Sequence, residues 1–300
     1  MKSVPVLPEG IYSASVTAFD SRGNVDADAT ARVMERNLSE GAAGLFVGGS
    51  SGECFLLDPQ ERIRCFEAGA RFCGRTTLIA HAGAISVKQA VDFARGALDM
   101  GYDAIAATAP FYYGFTPEDV CRYYYEISDA IGMPVLIYNF PGNTGKLFDP
   151  SNPHYQKLFL SGAILGVKHT NKDLYELERI RHINPELQVF NGFDETMVAG
   201  FAFGVKSSIG STFNFMLPHF LKIRSAYLAG ETGRALELQE KANNIMQALC
   251  SVGLIPSIKY ILAEQGYPVG DPRSPFRPLN HEERQFVDGV LEENLENDPE

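Results

Sequence analysis

The sequence has few of the features that mark secreted, membrane-bound or zinc-binding proteins. Its five cysteines are an odd number without a Cys-x-x-Cys pair, so we expect reduced thiols rather than disulfides or zinc ligands. No apolar run approaches the length of a membrane span, and Met1–Ser15 lacks the apolar core of a signal peptide. These absences predict a soluble, cytoplasmic protein that does not bind membranes.

Positive charge is also scarce, with 26 Lys and Arg against 37 Asp and Glu and a net charge of -11. A field of this sign repels phosphate backbones, so no nucleic-acid partner is expected. A small anionic substrate remains compatible with this charge, because the local field of a pocket differs from the global one.

Short apolar segments alternate with longer amphipathic ones over the first two-thirds of the chain. Each short segment is nearly continuously apolar, which is typical of parallel strands buried on both faces. We place these strands at Ile11–Ala18, Gly44–Val47, Thr77–His81, Ala104–Thr108, Val135–Tyr138, Ala163–Lys168, Leu187–Asn191 and Ser207–Ile209. Eight strands, each followed by a helix, favour a (β/α)8 TIM barrel over an open doubly wound sheet.

Helix-like segments lie between the strands and continue after the last one. Asp58-Pro59 and Thr116-Pro117 have the pattern of an N-cap followed by proline at the first helical position. The predicted helices include Asp58–Phe72, Ser86–Met100, Pro117–Ile131, Leu217–Ala229, Thr232–Val252, Ile255–Gln265 and His281–Asn297. We therefore expect a barrel over residues 1–230 that carries the active site, with a C-terminal helical extension over 231–300 packed on it as one structural unit.

Lys168 ends the apolar run of the sixth predicted strand. Active sites of such barrels lie at the carboxyl ends of the strands, where a lysine amine is poorly solvated. Desolvation lowers a lysine pKa and makes the free amine available to attack a ketone. On the local sequence alone, a lysine that ends a strand and points to water is the more common case, and the local sequence favours it for Lys168.

Tyr138 ends the preceding strand, thirty residues before Lys168. Adjacent barrel strands lie about 4.8 Å apart, so the phenol approaches the amine if both point inward at one level. A phenol beside a cation can then relay protons during imine formation and carbon–carbon cleavage. The alternative for Tyr138 is a packed aromatic with a satisfied hydroxyl.

Two further strand ends carry polar groups. Gly48–Gly52 after strand two offers two hydroxyls and several backbone N–H groups, which suit a carboxylate or phosphate, although a plain loop has the same composition. Asp194 and Glu195 after strand seven would repel a phosphate and accept hydrogen bonds from a polyol, although they also fit an N-cap and first-turn acid. His81 lacks neighbours at metal-ligand spacing, and Cys54 lacks a base partner.

Five segments together resemble the dihydrodipicolinate synthase / N-acetylneuraminate lyase family of class I aldolases. They are Gly-Gly-Ser-Ser-Gly-Glu (48–53), Tyr-Asn-Phe-Pro (138–141), Gly-Val-Lys-His-Thr (166–170), Asn-Gly-Phe-Asp-Glu (191–195) and Gly-Ser-Thr-Phe-Asn (210–214). The matching stretch ends near Met216, and nothing is carried over from the C-terminal helices.

The resemblance implies a Schiff-base mechanism without metal or organic cofactor. Lys168 would form an imine with the C2 ketone of the substrate, and Tyr138 would relay the proton of the C4 hydroxyl. Ser50 and Ser51 would bind the substrate carboxylate, with Gly49 allowing close approach of the backbone. The sugar portion would be held by Thr170, Gly192, Asp194, Glu195, Gly210 and Ser211.

Within the family, Gly-Phe-Asp-Glu followed by Ser211 resembles the branch that cleaves N-acetylneuraminate to pyruvate and N-acetylmannosamine. The synthase branch usually has an arginine shortly after Tyr-Asn-x-Pro and paired threonines in the strand-two turn. Here the first basic residue is Lys146, and the turn carries Ser50 and Ser51. Both departures weigh against lysine biosynthesis.

Three alternatives stay open at this point. The chain is a sialic acid aldolase, another 2-keto acid aldolase or dehydratase of the family, or a barrel that binds its ligand without catalysis. Retention of both Lys168 and Tyr138 weighs against the last. The resemblance further implies a homotetramer, in which Tyr112 borders a neighbouring subunit's site.

Overall fold

The computed structural model describes residues 5–296. Residues 1–4, which belong to the segment tested for a signal peptide, lie outside the described residues, as does Asn297, where the last predicted helix ends. Eight strands occur in the described range. They are β1 (Ile11–Ala14), β2 (Gly44–Val47), β3 (Thr77–His81), β4 (Ala104–Thr108), β5 (Val135–Asn139), β6 (Ile164–His169), β7 (Gln188–Asn191) and β8 (Ser207–Gly210).

The predicted strands agree with these bounds to within a residue or two, except at the end of β1. Beyond Ala14, the Ser15 N–H still donates to the Phe46 carbonyl at 2.9 Å. The chain then leaves the sheet, because the Ala18 N–H donates to the Thr30 hydroxyl at 2.9 Å rather than to a neighbouring strand. The expectation that β1 continues to Ala18 was therefore wrong.

The helices alternate with the strands and then follow one another at the C-terminus. They are α1 (Ala27–Ser39), α2 (Pro59–Ala70), α3 (Val87–Asp99), α4 (Pro117–Ile131), α5 (Pro141–Thr144), α6 (Pro153–Phe159), α7 (Leu174–Ile183), α8 (Met197–Ala202), α9 (Phe213–Leu228), α10 (Thr232–Val252), α11 (Leu254–Glu264) and α12 (His281–Leu291). Glu292–Glu296 continues α12 as a π-helix.

Local capping explains where two of these helices begin. Asp58 and Thr116 each accept a hydrogen bond from the backbone N–H three residues on, while the Glu61 and Asp119 carboxylates each accept one from the backbone N–H of the cap residue. These capping boxes satisfy N–H groups that a helix start otherwise leaves unpaired. The N-caps predicted from Asp58-Pro59 and Thr116-Pro117 are confirmed.

Helix α9 differs most from its predicted start. It begins at Phe213 rather than Leu217 and is interrupted at Met216, where the backbone is non-helical. Pro218 inside the helix removes one N–H donor and crowds the preceding turn, which accounts for the break. The helical pattern read from the sequence begins only after this kink.

The strands are parallel and close into a barrel in the order β1 to β8. This confirms the predicted TIM barrel with C-terminal helices. The register pairs Thr108 of β4 with Tyr138 of β5, and Tyr138 in turn with Lys168 of β6. Three consecutive strands therefore place their last inward positions at one level.

Contacts within the chain group the residues into two units. One comprises Met1–Gly10 and Phe72–Ile209, and its fully buried aromatic side chains include Tyr124, Phe148, Phe159 and Phe190. The other comprises Ile11–Arg71 and Gly210–Glu300 and buries Tyr12, Phe46, Phe66, Phe213 and Phe220 in the same way. Each unit has its own apolar core.

No individual helix within residues 5–296 is both long and apolar enough to cross a membrane. The successive helices α10 and α11, bent by 113° at their junction, meet the length and composition criteria only when taken together.

Candidate active site

Lys168 and Tyr138 lie side by side on adjacent strand ends. The Lys168 Nζ is 4.0 Å from the centroid of the Tyr138 ring, and both side chains are buried, with 4% and 3% of their surface exposed. The solvent-facing alternative for Lys168 is thereby excluded. An amine and a phenol meet in a site from which most water is removed, as imine chemistry with a ketone requires.

Aromatic rings hold Tyr138 from two sides. The His81 ring stands edge-on to it at 5.6 Å between centroids, and Phe140 stacks against it at 5.8 Å with planes 23° apart. The His81 Nε2 accepts a hydrogen bond from the Thr108 N–H at 3.3 Å. The His81 ring therefore packs against the Tyr138 ring and is anchored to β4. No cluster of three or more His, Cys, Asp or Glu suited to a metal occurs between residues 5 and 296.

A buried polar network lies next to this pair. Asn139 and His169 directly follow Tyr138 and Lys168, so their side chains point to the opposite face of the strands. The Glu176 carboxylate on α7 accepts a hydrogen bond from Asn139 Nδ2 at 2.6 Å and lies 3.1 Å from His169 Nε2. All three side chains are buried. The network ties the ends of β5 and β6 to α7 and thereby fixes the level of the amine and the phenol.

Thr170 and Gly192 meet at the ends of β6 and β7. The Thr170 hydroxyl is buried and has no hydrogen-bond partner among the described residues. A Cβ atom at position 192 would lie 2.0 Å from this hydroxyl, so only glycine fits there. A buried hydroxyl of this kind is costly unless a ligand or water satisfies it, which agrees with the predicted binding role of Thr170.

Asp194 and Glu195 begin a short 3-10 turn after β7, with Asp194 buried and Glu195 half-buried. The cap position of this turn is Phe193, and no side chain caps it. The alternative in which Asp194 is an N-cap therefore does not apply, while first-turn acids remain favourable to the turn.

The turn formed by Gly48–Gly52 lies in the second unit and uses more of its backbone N–H groups in internal hydrogen bonds than its sequence suggests. The N–H groups of Gly52, Glu53 and Cys54 donate to carbonyls of Gly49 and Ser50 at 3.0 to 3.4 Å. Fewer N–H groups face a ligand than the sequence indicated, because these three are used within the turn. Of the two hydroxyls in the turn, that of Ser50 is half-buried and that of Ser51 is buried.

Two glycines make this turn possible. A Cβ at Gly49 would lie 2.6 Å from the Phe46 ring, and one at Gly52 would lie 3.0 Å from the Thr17 hydroxyl. Thr17 in turn donates to the Gly52 carbonyl at 2.8 Å. The Phe46 ring therefore requires glycine at position 49, while the predicted approach of the Gly49 backbone to a substrate carboxylate stays a prediction.

Gly210 ends β8, and Ser211 follows it half-buried. The Ser211 carbonyl accepts a hydrogen bond from Asn214 Nδ2 at 2.7 Å, and the same nitrogen donates to the Ala14 carbonyl at 2.8 Å. Asn214, which was not singled out as a site residue, thus holds the segment of Ser211 against β1.

Tyr112 lies apart from these groups on the loop after β4. It is 85% exposed and has a positive φ of 77°. A non-glycine residue in this conformation carries a strain of about 1 to 3 kcal/mol, which the surrounding structure must offset. Its predicted role at a neighbouring subunit stays a prediction.

Thiol chemistry has no support in this part of the chain. None of the five cysteines forms a disulfide. Burial raises the pKa of Cys65 to about 11, so this thiol beside Thr17 stays protonated at neutral pH.

Comparison with known proteins matches these features to a family. The model of the dihydrodipicolinate synthetase family matches residues 7–294. A curated protein, N-acetylneuraminate lyase of Rhizobium meliloti (strain 1021), is 40% identical over 272 residues, which are 90% of either chain.

Solved structures agree. CdNal from Clostridium difficile, crystallised in complex with mannosamine, superposes with a TM-score of 0.91 at 34% identity and covers 96% of this chain and 99% of its own. Dihydrodipicolinate synthase from Bacillus anthracis shares the fold, with a TM-score of 0.90 at 24% identity over 97% of this chain and 99% of its own. The chain therefore belongs to the dihydrodipicolinate synthetase family, whose members are lyases of the class I aldolase type.

Proposed function

We propose that this protein is an N-acetylneuraminate lyase that cleaves N-acetylneuraminate reversibly to pyruvate and N-acetylmannosamine. The observation that carries the proposal is the buried Lys168 amine 4.0 Å over the Tyr138 ring. The 40% identity to a curated N-acetylneuraminate lyase supports the choice of sugar acid.

The first step makes an electron sink. The Lys168 amine attacks the C2 ketone of the open-chain sugar acid, and the resulting carbinolamine takes up one proton from solvent and loses water to give a protonated imine on Nζ. The hydroxyls of Ser50 and Ser51 bind the C1 carboxylate, which orients the ketone for attack.

The second step breaks the C3–C4 bond. As the C3–C4 electron pair moves into the imine and N-acetylmannosamine leaves as an aldehyde, Tyr138 takes up the proton of the C4 hydroxyl and passes its own proton to C3 of the enamine. Hydrolysis of the resulting imine releases pyruvate, returns one proton to solvent and restores the amine. Tyr138 and water account for these proton transfers, so we propose that no metal or organic cofactor takes part.

The polyol tail is the basis for substrate choice. Asp194 and Glu195 accept hydrogen bonds from sugar hydroxyls, and Thr170 and Ser211 offer hydroxyls of their own. No basic residue lies in positions 141–145, and the Lys146 Nζ donates to the Phe115 and Tyr113 carbonyls at 2.9 and 3.2 Å. A second carboxylate, such as the synthase branch binds, would find no free cation in this segment.

A substrate panel tests this assignment. We expect kcat/KM to be highest for N-acetylneuraminate, lower for 2-keto-3-deoxy sugar acids, and lowest for condensation of pyruvate with aspartate semialdehyde. Preference for either of the others would reassign the substrate within the family. Turnover of none, with ligand still bound, would indicate a non-catalytic barrel.

A substitution at Asp194 tests whether this residue contributes to the substrate preference. Asp194→Asn removes an acceptor charge, so we expect a lower kcat/KM for N-acetylneuraminate with unchanged imine formation from pyruvate alone. If the two fall together, Asp194 does not act on the sugar.

We further propose that the protein is cytoplasmic, because its cysteines form no disulfide. We also propose that it is a homotetramer, as the family resemblance implies.

A further inference from the structure

A buried ion pair stands directly after the Ser50–Ser51 turn. The Lys259 Nζ on α11 lies 2.7 Å from the Glu53 Oε1, and the side chains are 2% and 0% exposed. Removing two charges from water is costly, and such a pair is no efficient source of stability. Its position therefore calls for an explanation other than stability.

The lysine is held by more than this carboxylate. Its Nζ donates to the Asp271 carbonyl at 3.2 Å and lies 4.0 Å over the Phe19 ring. Burial lowers the pKa of Lys259, while the neighbouring Glu53 carboxylate opposes the shift. The carboxylate is the partner that keeps a charged amine in this apolar surrounding.

The second oxygen of Glu53 is also fixed. Its Oε2 accepts the Arg273 backbone N–H at 2.6 Å. The Arg273 guanidinium lies 4.5 Å over the same Phe19 ring and pairs with Glu61 of α2. Both carboxylate oxygens are thus bound by the C-terminal segment around Lys259 and Arg273.

The backbone of Glu53 is the part that bears on the turn. It adopts the left-handed conformation, with φ 57° and ψ 30°, which residues other than glycine rarely take. Its N–H closes the turn by donating to the Ser50 carbonyl at 3.0 Å. Holding the Glu53 side chain at both oxygens holds this backbone, and with it the two serines.

We propose that Glu53 and Lys259 are a positioning pair for the carboxylate subsite formed by Ser50 and Ser51. This inference rests on the proposed function, in which that turn binds the carboxylate of a 2-keto acid. It gives helix α11 a part in substrate binding, although no atom of α11 needs to touch the substrate.

Two ketones separate this role from general stability. Pyruvate carries the carboxylate that the turn would bind, whereas hydroxyacetone offers a ketone without one. Both would form an imine at Lys168, which cyanoborohydride reduces to a stable adduct that peptide mass mapping locates.

The variants are Glu53→Gln, Lys259→Met and the double variant, with Lys206→Met as control. Lys206 pairs with Glu9 at 2.9 Å on the surface, where both side chains are more than half exposed. We expect each variant of the pair to raise the half-saturating pyruvate concentration at least about tenfold, the size of one lost charge-assisted hydrogen bond. Trapping by hydroxyacetone should change less than about twofold by the same scale. Lys206→Met should change neither.

The double variant distinguishes positioning from folding. Each single variant leaves a buried charge without its partner and is expected to lower the melting temperature, whereas removing both charges should restore most of it. We expect pyruvate binding to stay weak in the double variant, because the turn is still released. KM for N-acetylneuraminate should rise in all three variants with a smaller change in kcat.

Equal losses for the two ketones, or pyruvate binding that recovers with stability in the double variant, would overturn the inference alone. Unchanged pyruvate binding in both single variants would do so as well. Absence of any adduct at Lys168 in the wild type would overturn the proposed function and this inference with it.

Discussion

At the scale of single residues, the site depends on two side chains that end adjacent strands. The 4.0 Å approach of the Lys168 Nζ to the Tyr138 ring brings a cation to the face of an aromatic group, which is favourable and leaves the phenol hydroxyl at the ring edge. In the proposed mechanism the ring and the hydroxyl therefore have separable roles, one toward the amine and one toward the substrate.

Substituting Tyr138 by Phe separates these roles. The ring stays, so imine formation with pyruvate should persist, but turnover of N-acetylneuraminate should fall at least about 100-fold with the loss of proton relay. Steady-state kinetics and adduct trapping on one preparation measure both. Tyr175→Phe on α7, whose side chain is 69% exposed, is the control and should keep full turnover. Wild-type turnover in Tyr138→Phe would refute the relay.

The sequence identified these two residues but not the groups that hold them. Asn139 and His169 are visible as the next residues of their strands, whose alternation turns them outward. Nothing local shows that Glu176, one of two acids on the amphipathic helix α7, is buried between them. A contact of this kind depends on how the helix packs on its strands, which sequence periodicity does not define.

At the scale of elements, near-continuous apolar runs were sufficient to place all eight strands. The errors lie where polar side chains replace the backbone ladder, as at Thr30 beyond β1, or where Pro218 interrupts a helix. Such local hydrogen bonds and kinks leave a weaker trace in the sequence than burial does.

One position inside β6 accepts only glycine, because the backbone of the neighbouring strand lies too close for a side chain. Gly166 lies two residues before Lys168, and a Cβ at this position would lie 1.9 Å from the carbonyl oxygen of Gln188 in β7. Gly166→Ala should therefore lower the free energy of unfolding by about 2 kcal/mol or more, because backbone atoms must shift to accept the methyl group.

Urea unfolding measures this change, with Gly162→Ala as the matched control. Gly162 precedes the same strand, and a Cβ there meets no atom within 4 Å, so its substitution should change stability by less than about 0.5 kcal/mol. Equal stability of the two variants would show that β6 and β7 do not pack as described.

At the scale of the whole molecule, eightfold alternation predicted a barrel, and the closed strand order confirms it. The part played by the C-terminal helices was beyond sequence analysis, because Lys259 belongs to no recognisable motif and lies far along the chain from Glu53, the last residue of the segment Gly-Gly-Ser-Ser-Gly-Glu. The resemblance itself faded after Met216, so no role was assigned to α11.

The proposed homotetramer has a direct test. Light scattering coupled to gel filtration should give about four times the chain mass of 32.9 kDa. A mass of one chain at working concentrations would contradict the proposal.

Turnover of a Tyr112 variant tests whether this residue borders the active site of a neighbouring subunit. Glycine adopts a φ of 77° without strain, so Tyr112→Gly should keep the loop folded while removing the ring. We expect lower turnover with an unchanged melting temperature. Full turnover would show that this ring borders no active site.

The central claim is that Lys168 forms an imine with a 2-keto acid, and reductive trapping tests it most directly. Wild-type protein incubated with pyruvate and cyanoborohydride should gain one adduct per chain, located on Lys168 by peptide mass mapping. Lys168→Ala should gain none, while Lys88→Met, which removes a lysine whose side chain is 85% exposed, should be trapped like the wild type. An adduct on another lysine, or no adduct in the wild type, would contradict the account.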